Sequence, residues 1–269
     1  MSGSVRAFAR AILPQPLRRL LRRVATETPI RITDAVPDLL DATVRKPRAL
    51  PPPRLRARVG KTSGRAEFTI VGSIAVADIQ RACAGIEDVR IARVLDFGCG
   101  PGRVARIVAP LVESFTGVDV DEEAIAWCRE HLPGTYLAIS GEPPLPVPDH
   151  SFDFVYAISV FTHLDEDKQD RWLAELARVL DKDGILVVTT HSPNVVFDRP
   201  DLTHDARVRL ANNGFTFAAG SDFSGDSAFH HEAYLRFHWN RWFTLLRFEQ
   251  YGLAHFQDLS VFRNATTRS

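Results

Sequence analysis

Apolar positions follow two regimes along this chain. Beyond Ile91, short hydrophobic runs alternate with stretches of helical spacing. Arg93–Phe97, Ser114–Asp119, Thr135–Ile139, Phe152–Ile158 and Gly184–Thr190 read as strands, and Arg103–Pro110, Asp121–His131 and Asp167–Leu180 as the helices between them. Strands apolar on both faces and separated by helices predict an α/β fold with a doubly wound, mostly parallel, Rossmann-like sheet. Trp242–Tyr251 and His255–Arg263 are two extended runs joined by a short turn containing Gly252, an antiparallel β-hairpin at the end of that sheet. Ahead of β-type alternation, Ile70, Ile74, Ile79, Ala82 and Cys83 space a helix over Phe68–Ala84.

Residues 1–65 belong to the other regime and predict a basic, proline-containing N-terminal extension, with the domain proper over 66–269. Val5 to Val24 has helical spacing, with Leu17, Leu20, Leu21 and Val24 on one face, yet Pro14 and Pro16 interrupt it. Pro47, Pro51, Pro52 and Pro53 mark a stiff linker. Charge sharpens this division. The whole chain has a formal net charge of zero, but residues 1–65 hold 15 Lys and Arg against four acids, a net of +11, which leaves an acidic body. Such an arm suits peripheral contact with an anionic membrane or a phosphate-bearing partner, or docking on its own acidic domain. Cys83, Cys99 and Cys128 form no CxxC pair, which argues against a disulfide framework and for a reducing, cytoplasmic setting. No apolar run has the length of a membrane span, and arginines interrupt any signal-peptide core near the N-terminus.

The chemistry concentrates after the first strand, in Val94-Leu95-Asp96-Phe97-Gly98-Cys99-Gly100-Pro101-Gly102-Arg103. A hydrophobic strand runs into three alternate glycines and then a helix. Glycine permits conformations that side chains forbid and lets a ligand approach the main chain, and the carboxyl end of such a strand is where doubly wound sheets bind nucleotides. The spacing is GxGxG, with Arg103 where a dinucleotide-binding loop would put its third glycine. The next strand ends Gly117-Val118-Asp119, and a carboxylate there has two oxygens with which to accept both hydroxyls of a ribose. Asp121 is the better N-cap for the following helix, which leaves Asp119 for the ligand.

These residues resemble class I S-adenosylmethionine-dependent methyltransferases. Leu145–Val155 is similar to the family's stretch entering its fourth strand, and Leu176–Leu186 to its helix, turn and fifth strand. The resemblance implies S-adenosyl-L-methionine as methyl donor, with Gly98, Gly100 and Gly102 approaching its methionine part. It further implies that Asp96 orients the amino group, Asp119 holds the ribose and Val120 lies against adenine. Glu142, after the third strand, is the implied partner of the adenine amine, and Ser159, after the fourth, meets the cofactor through its backbone. Two histidines stand where an acceptor would react: His163 beyond the fourth strand and His191 beyond the fifth. A neutral imidazole is suited to take a proton near neutral pH. The aromatic residues between Phe215 and Trp239 point to a small or sugar-like acceptor in an aromatic-walled pocket. An Asn-Pro-Pro-Tyr block is absent from Ile158-Ser159-Val160-Phe161, which argues against DNA base methylation. His230-His231 lacks a third ligand at suitable spacing, so no metal is expected. Two other classes compete: an NAD(P)-dependent oxidoreductase on a similar sheet, and a cofactor-binding interaction module without catalysis.

Overall fold

The computed structural model describes residues 49–59, 64–194, 199, 202–221 and 225–265. Helix α1 (Pro53–Arg56) and helix α2 (Arg65–Cys83) lead into β1 (Arg93–Phe97), α3 (Ala105–Val108), β2 (Ser114–Asp119), α4 (Glu122–His131) and β3 (Thr135–Ala138). There follow β4 (Phe152–Ala157), α5 (Glu166–Val179), β5 (Leu180–Thr190), α6 (His204–Asn213), β6 (Phe215–Ser221), β7 (Gly225–His230), α7 (Glu232–His238), β8 (Phe243–Leu253) and β9 (Gln257–Asn264). One sheet has the order β3-β2-β1-β4-β5-β9-β8, and β6 pairs with β7 in a separate ribbon. The pairs from β3 to β5 are parallel, while β9 runs antiparallel to both β5 and β8. The strand order reverses between β1 and β4, and there the carboxyl ends of the strands open a cleft.

Period-two alternation separates two cores. On one face Leu95, Phe97, Val155, Leu186 and Val188 pack with Trp172, Leu173 and Leu176 of α5 and with Trp239 and Phe262. On the other, Val94, Phe154, Ile185 and Val187 meet Ala75 and Ile79 of α2 and Ile125 and Cys128 of α4. Leu95, Val155, Leu173 and Leu186 are wholly buried, each contributing roughly 1.5–3 kcal/mol of transfer free energy. The helices start where side-chain oxygens take orphan amides. Asp121 accepts from the N–H of Ala124 at α4, Asp165 from Lys168 at α5 and Thr203 from Ala206 at α6. Gly214 ends α6 in the left-handed conformation.

The five parallel strands and the closing hairpin lie where the apolar pattern put them, with three local differences. The helix expected over Arg103–Pro110 is shorter, because the chain tightens into a 3₁₀ turn over Ala109–Leu111 at Pro110. Strand β5 starts at Leu180, ahead of Gly184. The hairpin turns at Ala254 and His255, both at positive φ, while Gly252 lies inside β8, where a Cβ would meet Glu249 and Leu259 at under 3 Å. The helix expected over Val5–Val24 falls outside the described residues. Residues 49–59 are no detached linker: Leu55 is 1% exposed, and Arg54 and Arg58 pair with Glu123 and Asp121 of the α4 start. The packed body therefore extends N-terminal of the boundary expected at residue 65.

Candidate active site and cofactor cleft

The loop after β1 is pinned before any ligand is considered. The N–H groups of Gly98 and Cys99 both donate to the carbonyl of Val118 at the end of β2, at 2.8 and 3.0 Å. That of Gly100 donates to Asp119 Oδ2 at 2.6 Å. Gly98, Gly100 and Gly102 have φ of 81°, 51° and 77°, a region that side chains adopt only under strain. Their surroundings differ. A Cβ at Gly98 would lie 2.3 Å from Val160 Cγ2, and one at Gly100 would lie 3.0 Å from Val59 Cγ1, so both glycines let valines of the cleft lining pack against the loop. A Cβ at Gly102 would lie 2.4 Å from Leu132 Cδ1 and 3.1 Å from Cys128 Sγ.

Around the loop opens a cavity of about 970 Å³, lined by Asp96, Gly98, Gly100, Asp119, Val120, Ser159 and His163 among the expected residues. Arg58, Val59, Ile139 and Phe256 also line it. Two carboxyl groups face it with raised pKa. Burial pushes Asp96 up to about 8 and the charge of Asp119 adds to this, although Tyr156 donates its hydroxyl to Oδ2 at 2.8 Å and Arg103 lies near. Burial likewise raises Asp119, opposed by the N–H groups of Asp121 and Gly100 on its two oxygens. Asp121 takes the cap of α4, and Arg58 holds both its oxygens at 2.5 and 2.7 Å. Val120, 62% exposed, projects at the mouth. Ser159 sits at φ 59°; its N–H donates to Thr189 Oγ1 and its hydroxyl to Gln257 Oε1, so neither donor remains for a ligand.

His163 ends a 3₁₀ turn, Phe161–His163, at the opposite wall. Its Nδ1 lies 2.8 Å from the carbonyl of Asp226. A carbonyl only accepts, so the proton sits on Nδ1 and the lone pair of the neutral ring on Nε2. That is the state a general base requires.

Three expected site residues stand elsewhere. Gly102 packs the loop against α4 through Leu132 and Cys128 and does not border the cleft. Glu142, half exposed, pairs with Arg171 at 3.0 Å and is turned away from the cavity lining. His191 is 5% exposed between the rings of Phe229 and Phe256, its Nδ1 without a hydrogen-bond partner among the described residues. Burial lowers its pKa to about 4, with His163 and Arg199 acting in the same direction. It lies behind Phe256, which itself reaches the cleft. The aromatics expected to wall an acceptor pocket are mostly core: Phe215, Phe229, Tyr234 and Trp239 are all under 9% exposed, and none borders this cavity. Among the described residues, no group of three or more His, Cys, Asp or Glu stands together as a metal site.

The residues that sequence patterns left out come from far along the chain. Arg58 and Val59 belong to the basic segment, and Arg103 donates to the Val59 carbonyl. Phe256 comes from the hairpin turn, and Tyr156 stands under Asp96 from a strand buried at every position. Only Tyr156 carried a signal, as the single hydroxyl in an otherwise hydrophobic β4 apart from Asp153.

A glycine loop and two carboxylates border a cleft at the switch point of a mostly parallel sheet, the place where doubly wound α/β folds bind nucleotides. Residues 95–188 match the family model of the methyltransferase domain. A probable S-adenosylmethionine-dependent methyltransferase of Mycobacterium tuberculosis (strain H37Rv) is 37% identical over 107 residues, 40% of this chain and 38% of that protein. A fatty-acid O-methyltransferase of Mycolicibacterium smegmatis is 32% identical over 127 residues, 46% and 45% of the two chains. The chain thus spans less than half the length of these curated relatives. The N-methyltransferase NodS of Bradyrhizobium japonicum, solved with S-adenosylhomocysteine, shares the fold with a TM-score of 0.52 at 14% identity, over 78% of this chain and 95% of that one. Over residues 95–188 the chain is thus similar to the methyltransferase domain, and it has the fold of a solved S-adenosylmethionine-dependent enzyme.

Proposed function

We propose that this protein transfers a methyl group from S-adenosylmethionine to an oxygen of a small acceptor, with His163 as the base. The observation that carries the reading is the union, in one cavity, of the bare glycine loop, the carboxylates Asp96 and Asp119, and an imidazole whose free lone pair is on Nε2. The cofactor fits what is present. Gly98 and Gly100 border the cavity with no side chain of their own, so a ligand can approach their main chain, and the two acids suit an ammonium and a pair of ribose hydroxyls. When bound, S-adenosylmethionine would supply a methyl group on a sulfonium sulfur, which departs as the neutral thioether.

The chain's own work is then alignment and proton transfer. Asp119, with one lone pair of each oxygen engaged by Gly100 and Asp121, keeps another on each for a ribose hydroxyl. Asp96 would release its proton to solvent to pair with the ammonium as a carboxylate. Val160 and Phe256 line the same cavity as His163 with apolar surface. His163 accepts the acceptor's hydroxyl proton at Nε2, and the resulting imidazolium keeps its Nδ1 bond to the Asp226 carbonyl. Alignment of this kind is worth up to about 7–11 kcal/mol, and a positioned base about 10²–10⁴ in rate. An oxygen acceptor accords with the fatty-acid O-methyltransferase relative.

The same reading includes a cytoplasmic setting and peripheral contact of the basic N-terminal segment with an anionic surface, apart from Arg54 and Arg58, which pair with Glu123 and Asp121. Among the described residues no helix is long and apolar enough to cross a membrane, and the three cysteines are free and buried. S-adenosylhomocysteine should raise the melting temperature while NAD leaves it unchanged, since only a ligand of the native state stabilises it. A shift with NAD alone would turn the reading to an oxidoreductase. Incubating cell extract with isotopically labelled donor, followed by mass spectrometry, then identifies the acceptor; label found only on nitrogen or carbon would remove the oxygen assignment.

A further inference from the structure

We infer that Gln169 and His230 are positioning residues that, through the β6–β7 ribbon, hold His163 in one place and one tautomer. The inference rests on the reading of His163 as the base. Gln169, on the first turns of α5, is fully buried, an unusual site for an amide. Its Nε2 donates to the carbonyls of Phe161 and Leu164, at 3.2 and 2.9 Å, the two ends of the turn that carries His163. With both amide hydrogens committed to carbonyls, Oε1 faces the ribbon, where it meets His230 Nε2 at 3.0 Å. An amide oxygen accepts only, so His230 carries its proton on Nε2.

His230 is itself wholly buried, its ring among those of Phe215, Tyr234 and Trp239 at centroid distances of 5.1, 6.0 and 6.0 Å. That surrounding lowers its pKa to about 3 and keeps it neutral, a fixed donor at any working pH. Four residues earlier on the same strand, the Asp226 carbonyl takes the Nδ1 proton of His163. Strand β7 thus grips the turn twice, once through the amide beneath it and once through the histidine it presents. The ribbon is anchored in turn on the end of β5, where His191 bridges Phe229 and its carbonyl accepts from the N–H of His230 at 3.1 Å. An apolar pair at 169 and 230 would fill the same space but would take the amide donor away from the carbonyls of Phe161 and Leu164. What the polar pair adds is direction, because each hydrogen bond dictates the orientation of the next.

The test is nitrogen NMR of the full chain labelled at its imidazoles, with His163 assigned by the signals missing from His163→Gln. In the wild type His163 should show a single tautomer, protonated at Nδ1. His230→Phe keeps the ring packing but removes the donor, and should cost His163 that single tautomer, its two nitrogens averaging toward each other. His230→Gln returns a donor to Gln169 and should restore the wild-type spectrum. If His230→Phe fails to fold, Gln169→Met, which removes the amide at nearly constant volume, gives the same reading. A folded His230→Phe or Gln169→Met protein with the wild-type His163 tautomer would overturn the inference, as would His230→Gln behaving like His230→Phe. No acceptor enters this measurement, so it is independent of the catalytic role. That role fails separately, if His163→Gln methylates the acceptor at the wild-type rate.

Discussion

The two halves of the cleft are built by opposite means. On the cofactor side, main-chain geometry does the shaping: Gly98 and Gly100 at positive φ, amides fixed on Val118 and Asp119, and a strand end placed by parallel pairing. On the acceptor side, side chains and a separate ribbon do it: His163 held by Asp226, the turn held by Gln169, Phe256 brought in by a hairpin. A backbone cradle tolerates almost no substitution at its glycines, whereas a side-chain wall can be rebuilt around a different acceptor. The largest test of this contrast is Gly98→Val. The substitution combines a positive φ, costing about 1–3 kcal/mol for a non-glycine residue, with a clash against Val160, and should abolish S-adenosylhomocysteine binding by calorimetry while the far-ultraviolet circular dichroism stays native. Gly102→Ala should do the reverse, losing stability through Leu132 and Cys128 but binding normally once folded. Equal loss of binding in both would mean that the loop acts as one unit and that the division of roles among its glycines is wrong.

The next effect belongs to the acceptor side. His163→Ala should lower the single-turnover rate by about 10²–10⁴ and leave cofactor affinity nearly unchanged. A near-normal rate would reduce this wall to a shape, with alignment as the main catalytic device. Asp119→Ala returns to the cofactor side with a smaller consequence, about 1.5–3 kcal/mol weaker S-adenosylhomocysteine binding, the range for hydrogen bonds to a charged group. Part of that loss would come from releasing the amides of Gly100 and Asp121. Asp119→Asn, which keeps one acceptor oxygen, should lie between the mutant and the wild type; full affinity in both variants would take the ribose away from this residue.

The contrast also explains what could be read in the sequence. The parallel strands, the loop and Asp119 were legible because each depends on a local pattern: alternation, glycine spacing, and an acid at a strand end. Even so, the GxGxG spacing gave Gly98 and Gly102 the same role, and only packing against α4 distinguishes them. Glu142 was placed by loop position alone, and its partner Arg171 on α5 was beyond any local signal. Arg58 and Val59 read as linker because their partners, Asp121, Glu123 and Arg103, are more than 40 residues away. His191 and the aromatic run were chemically plausible for an acceptor site, but the ribbon that buries them is a tertiary event. On the acceptor side only His163 was legible, from its place just beyond β4, while Gln169, His230 and Phe256 reach it through tertiary packing.

The smallest expected effect sets a buried acid of the cofactor side against the buried imidazole behind Phe256. Asp96, 3% exposed, has its pKa raised to about 8, and His191, 5% exposed, has its pKa lowered to about 4. The signs follow from proton counts. Near pH 5–6 the folded protein holds a proton on Asp96 that the unfolded chain has released, so this group's stabilisation is complete below the ordinary carboxylate range and is lost as pH rises through about 8. Over the same interval the unfolded chain protonates His191 while the folded protein does not, so its contribution is complete above the ordinary imidazole value and is lost as pH falls toward about 4. Each difference of one proton is worth about 1.4 kcal/mol per pH unit, and in the wild type the two slopes oppose each other. Asp96→Asn should therefore make the slope of unfolding free energy against pH more positive by roughly 1.4 kcal/mol per unit between pH 5 and 6. His191→Phe, which suits its aromatic surroundings, should make it more negative by a similar amount. Urea titrations of the ligand-free wild type and both variants at pH 5.0, 5.5 and 6.0 (about 0.7 kcal/mol expected per step) measure the difference directly, with every other titrating group cancelling. Parallel slopes in all three proteins would mean that neither side chain is held in its uncharged form, and a shift of the same sign in both would mean that one of the two is charged in the folded protein.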